Sequence, residues 1–582
     1  MANQFIVVGG GLAGLMATVR LAEAGHKVKL FALHPVKRSH SVCAQGGING
    51  AVNTKGEGDS PWEHFDDSIY GGDFLADQAP VKAMCEAAPG IINLLDRMGV
   101  MFNRTPEGLL DFRRFGGTKH HRTAFAGATT GKQILYALDE QVRRAELDGL
   151  VEKLEFWDFL SAVLDGSGRC IGIVAQDLRS MEVRAFAADA VVLATGGVGA
   201  IFGKSTNSLA CTGSAVAAVY QQGAKLGNPE LVQVHPTAIP GDDKLRLMSE
   251  SARGEGGRVW VPRDGKPWYF LEEWYPAYGN LVPRDIATRA IFKVCVDMGL
   301  GVDGQNAVYL DLTHIPAHEL DVKLGGILEI YEKFRGVDPR KVPMQVFPGV
   351  HYTMGGLWTD FGLMSSIPGL FGAGEAQFHY HGANRLGANS LLSCIYDGQV
   401  VAKSMIAWAK GADRGGERFL EEERKRQAAD IDAIFKMSGS ENAYTLWQEL
   451  GDTMTRNVTV VRHNDRMEKT YKQIADELLP RWKKIGLGDA SRWANQAVPF
   501  VRQLRLMMVY AQAITKGAIV RNESRGAHYK PAFPERDDAK FLKTTLATWT
   551  AKGPEIGWAD VDTSLIPPRA RKYDVDKTGG KA

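Results

Sequence analysis

Cysteine is scarce and scattered in this chain. The six thiols, at positions 43, 85, 170, 211, 295 and 394 of 582 residues, form no CxxC pair and no zinc-ligand spacing. That excludes a disulfide framework and any cysteine-held metal or iron–sulfur cluster within this polypeptide, and it suits a reducing compartment. No metal ligand set is expected. An excess of one charge is lacking too: 69 Lys and Arg against 67 Asp and Glu leave a net charge of +2. No global field grips nucleic acid or an anionic membrane, so nucleic acid is excluded as a partner and an anionic ligand must be held by a local cluster. Long apolar runs are missing as well. The longest charge-free stretch, Ser205 to Ala224, is filled with Ser, Thr, Asn, Gln and Gly and cannot span a bilayer. Met1 leads within a few residues into an apolar strand, without the basic n-region and small-residue cleavage site of a secretory signal. Contact with a membrane is therefore expected to come through a partner.

What is present is an ordinary globular composition, 45% apolar and 23% charged, in a chain long enough for about three or four domains. Residues 5 to 33 read as strand, glycine turn, helix and strand: FIVVG, GGLAG, LMATVRLAEAG, HKVKLFAL. Within them Gly9, Gly11 and Gly14 supply GxGxxG in the context that motif requires. Glycines there allow the tight turn and let the backbone approach a pyrophosphate seated on the positive end of the helix, although a purely structural turn has the same spelling. No Asp or Glu occurs between Glu23 and Glu57, so the acidic ribose contact of the generic fingerprint has no candidate there. Two further apolar runs end in glycines: ADAVVLATGG at 188–197, with Ala194, Thr195 and Gly196, and GLFGAGEA at 369–376, with Glu375. One cofactor spread over three distant segments accounts for all of them, which favours FAD over NAD.

The rest of the chain changes style in blocks. Residues 34–130 are rich in Gly, His, Asn and Thr and read as long loops built for contact with something bound. Residues of about 245–345, rich in Trp, Tyr and Pro, read as an insertion. From about 411 the text becomes charged and helix-forming, with Ile431, Ile434 and Phe435 at helical spacing. The last fifty residues read as extended chain packed on the surface with a frayed end.

Arg38 to Ile48, RSHSVCAQGGI, closely resembles the RSHTVAAQGG segment of the succinate dehydrogenase and fumarate reductase flavoproteins. The resemblance continues through HPT, RGEGG, PRD, HYTMGG, HGANRLGANSLL, ESRGAHY and FPERDD, and so covers nearly the whole chain. It implies an α/β fold: a Rossmann-like FAD-binding domain in two parts (1–245 and 346–410), an inserted α+β capping domain (246–345), a helical domain (411–530) and a C-terminal extension (531–582). It further implies FAD bonded covalently through His40, with Ser39, Gln45, Gly46, Gly47, Asn384, Ser390 and Leu391 at the cofactor. The substrate pair is succinate and fumarate. His235 and Ser249 would clamp one carboxylate, and His351 and Arg385 the other; arginine suits this because its planar fork binds a carboxylate through two parallel bonds. Ser249 departs from the family's usual Thr but keeps the hydroxyl, so binding is expected to survive.

Arg284 in VPRDIATR matches the family's proton donor, and Glu250 and Arg253 match its relay; residues three apart share a helix face. An arginine is a poor acid on its face, so the role demands a position against the substrate carbon and rapid reprotonation. His120, His121, His379 and His381 are expected to pack or to support the site. The resemblance also implies an iron–sulfur subunit, a single diheme cytochrome b membrane subunit, menaquinone or another quinone, and a peripheral place on the cytoplasmic side of the cell membrane. L-aspartate oxidase shares the fold without the covalent flavin, and a redox-dead scaffold would be expected to lack Arg284, Glu250 or Arg385; all three are present.

Overall fold

A computed structural model describes residues 3–118, 120–241, 244–410 and 416–572. The N-terminal unit forms as β1 (Gln4–Val8), α1 (Leu12–Glu23) and β2 (Lys27–Ala32). With β3 (Val151–Glu155), β4 (Ala190–Leu193) and β5 (Leu370–Gly372) it makes a parallel sheet in the order β5–β4–β1–β2–β3. Parallel strands are covered on both faces, which is why FIVV and AVVL are continuously apolar. Alternation sends Phe5 and Val7 into one core with α1, and Ile6 and Val8 into a second core shared with the helical region. Because β4 and β5 flank β1 on one side, the three glycine turns at their carboxyl ends converge. Ligands of open α/β sheets bind at that end.

A second, antiparallel sheet stands beside the first. Val232–Ile239 pairs with Met344–Thr353, and Val308–Asp311, Arg258–Arg263 and Lys266–Trp268 continue it outward. The strand Met344–Thr353 straddles residue 345, so one sheet runs from the inserted segment into the rest of the chain. Helix α2 (Arg284–Phe292) packs against this sheet, and α3 (Asn389–Ala409) packs against α1. The charged region after 416 forms helices, among them Glu417–Phe435, Ala443–Asn457 and the largely buried Ala497–Val520. No described helix is long and apolar enough to cross a membrane.

Two readings of the sequence are corrected here. Residues 34–130 are not long loop throughout, since Pro61–Gly71 and Gln78–Arg97 are helices. The first announces itself locally: the Ser60 hydroxyl accepts the Glu63 N–H and Pro61 opens the turn, a cap that the loop-like composition concealed. The C-terminal segment is not merely extended chain either. Lys543–Thr550 and Gly553–Asp560 form a hairpin that joins Leu226–Gly227 in a four-stranded sheet. The frayed end expected for DKTGGKA lies outside the described residues.

Buried charge ties the helical region to this frame. Arg521, just past the helix Ala497–Val520, bonds Glu230 at 2.8 Å and Glu523 at 2.9 Å, and Arg525 reaches the other oxygen of Glu523 at 2.9 Å, all without solvent exposure. Removing Arg521 leaves Glu230 buried without its ion-pair partner, a loss of about 3–5 kcal/mol. Arg521→Gln is therefore expected to lower the denaturation midpoint in urea well below that of a surface control such as Arg418→Gln; matching midpoints would show that the network contributes nothing net.

Candidate functional site

A cavity of about 630 Å³ opens at the carboxyl ends of β1, β2, β4 and β5. Gly9, Gly11, Ser39, His40, Gln45, Gly46, Gly47, Ala194, Thr195, Gly196, Glu375, Ser390 and Leu391 line it. Gly9 has φ +119°, and a Cβ there would run into the Ala194 carbonyl; a Cβ on Gly14 would run into the Gly9 carbonyl. Gly14 thus lies behind the lining, where it lets α1 close against the turn. The first turn of α1 has no side-chain cap and faces the cavity through Gly11 and Leu12, an arrangement that receives a phosphate. The buried Ser39 Oγ, Gln45 Oε1 and Thr195 Oγ1 have no hydrogen-bond partner among the described residues. Unmet polar atoms around a long cleft with a glycine cradle fit a dinucleotide such as FAD. Glu375 is pushed up to about 7 by burial, against the Thr353 N–H on its Oε1 at 2.9 Å and the charge of Arg385, so it is ready to share a proton with a sugar hydroxyl. The acidic side chain that β2 lacks is not replaced on that strand; Asp158, Glu250 and Glu375 are the acidic residues of the lining.

His40 begins a short 3-10 turn, His40–Cys43, held against the helix Thr130–Leu147. The Ser208 N–H donates to its Nδ1 at 3.2 Å, and the Asn207 side-chain amide lies 3.1 Å from Nε2. Burial and the Lys244 charge hold the imidazole down at about 4, so it is neutral at physiological pH.

At the other end of the cavity stand His235, Ser249, Glu250, Arg284, His351 and Arg385. His235 and His351 come from paired strands that lose register between Gln233 and Val234 and again between His235 and Ala238. Pro236 cannot donate to the ladder, and the first shift leaves His351 between Val350 and Tyr352 without a cross-strand partner. That irregularity brings the rings edge to face at 5.0 Å. The Thr237 N–H donates to His235 Nδ1 at 3.2 Å, so in the neutral ring the proton sits on Nε2, which is buried and unpartnered. Thr206 fixes His351 through its Nδ1 at 2.7 Å. Burial, then Arg284, holds both imidazoles well below their usual range.

Glu250 organises the arginines. Its Oε2 accepts from Arg284 Nε at 2.8 Å and Nη2 at 2.7 Å; its Oε1 accepts from Arg253 Nη2 at 3.2 Å and the Gly116 N–H at 2.9 Å. Burial opposes its charge, yet Arg284 and Arg253 hold the carboxyl below its usual range. Arg253 lies behind the lining, donating also to the Asn280 carbonyl at 2.7 Å. Arg385 stacks over Tyr352, 4.4 Å from the ring centre, and its Nε has no partner. Burial, then Arg284, pushes that guanidinium down to about 9. Three buried guanidinium groups therefore share this end with one ionised carboxylate. The surplus positive charge, in dry walls, calls for an anion. Ser249 is partly spent, since its hydroxyl donates to Ser251 Oγ at 3.0 Å and accepts the Ser251 N–H at 3.2 Å.

Several residues here carry no sequence signal. Gln233 accepts from Arg284 Nη1 at 3.0 Å and donates to the Arg385 carbonyl at 2.7 Å and to Asn384 Oδ1 at 2.9 Å, which joins two segments far apart in the chain. Asn384 thus sits behind the cavity, not in its lining. A Cβ on Gly387 would lie 2.7 Å from Glu250 Oε2 and 2.8 Å from the Phe115 ring. Of the other histidines, His121 pairs with Glu57 at 2.7 Å, His379 reaches the Thr359 carbonyl at 3.1 Å and His381 reaches Ser393 at 3.2 Å; neither these nor His120 lines the cavity.

Residues 4–391 match the FAD binding domain family, and residues 447–573 match the fumarate reductase flavoprotein C-terminal family. The succinate dehydrogenase flavoprotein subunit of Bacillus subtilis (strain 168) is 64% identical over 581 residues, 99% of each chain. A solved E. coli quinol fumarate reductase chain superposes with a TM-score of 0.92 at 31% identity, covering 99% of both chains. A quinol-fumarate reductase solved with menaquinol molecules superposes at 0.90 and 31% identity, covering 98% of this chain and 100% of that one. This chain belongs to the family of succinate dehydrogenase and fumarate reductase flavoprotein subunits.

Proposed function

We propose that this chain is the catalytic flavoprotein subunit that interconverts succinate and fumarate at FAD bonded to His40. The observation that carries the reading is the cationic end of the cavity, where unpartnered donors of His235 and Arg385 flank the Arg284–Glu250–Arg253 cluster. A four-carbon dianion supplies two carboxylates for such a site. His235 Nε2–H holds one end, joined by the Ser249 hydroxyl when its proton turns from Ser251 Oγ, and His351 with the Arg385 fork holds the other. FAD, when bound, would take up or supply a hydride, the two electrons with one proton, at one carbon of the substrate, which leaves a single proton to be handled at the other carbon. In fumarate reduction Arg284 delivers a proton to the alkene carbon, and Glu250 and Arg253 restore it. Each oxygen of Glu250 faces a different arginine, so one carboxylate connects donor and relay. A donor fixed in a dry site gives its proton in the transition state despite its high pKa.

The His40 environment supports attachment through Nε2. The Ser208 N–H occupies Nδ1, which leaves Nε2, beside the Asn207 side-chain amide, as the ring nitrogen for the bond to the flavin; a bond there leaves the Ser208 contact intact. Low basicity keeps the imidazole unprotonated and able to form the bond. The family relationship supports an iron–sulfur subunit as the electron partner and a membrane subunit that reacts with menaquinone or another quinone. The style of YHGANRLGANSLLS and the C-terminal block favours the branch with a single diheme cytochrome b, at the cytoplasmic face of the membrane.

Acid denaturation of the purified chain is expected to leave flavin fluorescence on the protein band, with the adduct on the His40 peptide and none in His40→Ser. Free flavin from the wild-type chain, expressed with its partners, would sink the covalent assignment. Gly387→Ala is expected to displace Glu250 and lower kcat for fumarate reduction by about 10²–10⁴-fold while flavin stays bound. Wild-type turnover in that variant would remove Glu250 from the proton path.

A further inference from the structure

The described part of the C-terminal strap reaches the helix that carries the proton donor. Leu565 and Ile566 donate their N–H groups to Gln78 Oε1 at 2.9 and 2.8 Å, and Gln78 returns a bond to the Ile566 carbonyl at 2.7 Å. Arg569 grips Asp66 at 2.7 and 2.8 Å, and the Lys572 N–H donates to Tyr70 Oη at 2.6 Å. Between these anchors Arg571, with its side chain 7% exposed, is inserted between two buried carboxylates. It donates to Asp73 at 3.2 Å and to both oxygens of Asp285, at 2.9 and 3.2 Å.

Those carboxylates adjoin the two segments that carry Arg284 and Arg385. Asp285 follows Arg284 in the first turn of α2. Asp73 ends the turn whose Gly71 and Gly72 carbonyls accept from Asn384 Nδ2 at 3.2 Å and the Ala383 N–H at 2.8 Å, and that segment leads into Arg385. Asp73 keeps Arg536 at 2.8 Å and the Gly526 N–H at 2.9 Å without Arg571. Asp285 has Arg289 at 3.6 Å as its other described cation. A buried carboxylate stripped of its main partner draws in water or moves, and here the first turn of α2 moves with it.

We infer that Arg571 is a positioning residue for the proton donor: through Asp285 it sets the first turn of α2, and so the Arg284 guanidinium, against the wall that holds Arg385. The inference rests on the proton-donor role proposed above. The C-terminal strap is then part of the catalytic geometry although it touches neither substrate nor cofactor.

The test compares wild type, Arg571→Gln, Arg571→Lys, Asp285→Asn and the Arg571→Gln/Asp285→Asn double variant, each as flavin-loaded full chain in its complex. Flavin per chain, malonate affinity by flavin absorbance and kcat for fumarate reduction by a reduced dye are measured. In Arg571→Gln, kcat is expected to fall about ten- to hundredfold, because a displacement of an ångström at a reacting group costs that much. Malonate affinity is expected to stay within about threefold, because His235, His351 and Arg385 rest on other elements. Arg571→Lys should recover part of kcat, and the double variant should be no slower than the slower single. A kcat within twofold of wild type overturns the inference. Flavin content and malonate affinity falling in step with kcat overturn it too, since they show general loosening, as do additive losses in the double variant. A wild-type complex that turns over neither succinate nor fumarate defeats the reading of the active site itself, an outcome distinct from an active wild type with an unimpaired Arg571→Gln.

Discussion

The ionised carboxylate of Glu250 is the interaction on which the rest of the site depends. Alone at its depth it would be protonated, and each arginine beside it would be an uncompensated buried cation. Together they form a cluster in which Arg284 and Arg253 keep Glu250 charged and Glu250 fixes both guanidinium groups. The cluster constrains residues that have no charge. Gly116 gives its N–H to Glu250, and side chains at Gly116 and Gly387 would displace it. Compensation is incomplete because Arg385 stands outside the cluster with an unpartnered Nε, and that surplus makes the site select an anion.

The fold meets this demand by lining one cavity with residues of two sheets. The parallel sheet delivers three glycine turns to the cofactor end, and its geometry there depends on the absence of side chains. The antiparallel sheet delivers histidines through an irregular pairing around Pro236. Gln233, on the antiparallel sheet, joins α2 to the segment before α3 by accepting from Arg284 and donating to the Arg385 carbonyl. Both ends of the dicarboxylate pocket are thereby fixed to one strand, and α2 is held from its far side by Arg571.

Much of the site was legible because its chemistry is written in short local strings. GGGLAG declares a turn that must lack side chains, and RSHSVCAQGG, HYTMGG and ANRLGANS carry the residues that line the cavity. Other expectations failed for identifiable reasons. The glycine- and histidine-rich stretch after residue 34 hid two helices, since their caps and packing outweigh composition. His121 and His379, expected only to pack or to support the site, bond Glu57 and backbone carbonyls and stay out of the cavity lining.

By itself the sequence determined the parallel nucleotide-binding unit, the identity of the arginines and histidines, and the need for a local cationic pocket in a chain with no net field. These depend on residue type and on spacing within one element. Tertiary structure alone decided which groups share a dielectric and which atoms remain unpartnered. Gln233, Gly387, Asp73, Asp285 and Arg571 act across as many as hundreds of residues of chain, where no local periodicity records a contact. The charge state of Glu250, the tautomer of His235 and the surplus of buried positive charge follow from those long-range neighbours, because burial and Coulomb interaction depend on distance in space and not along the chain.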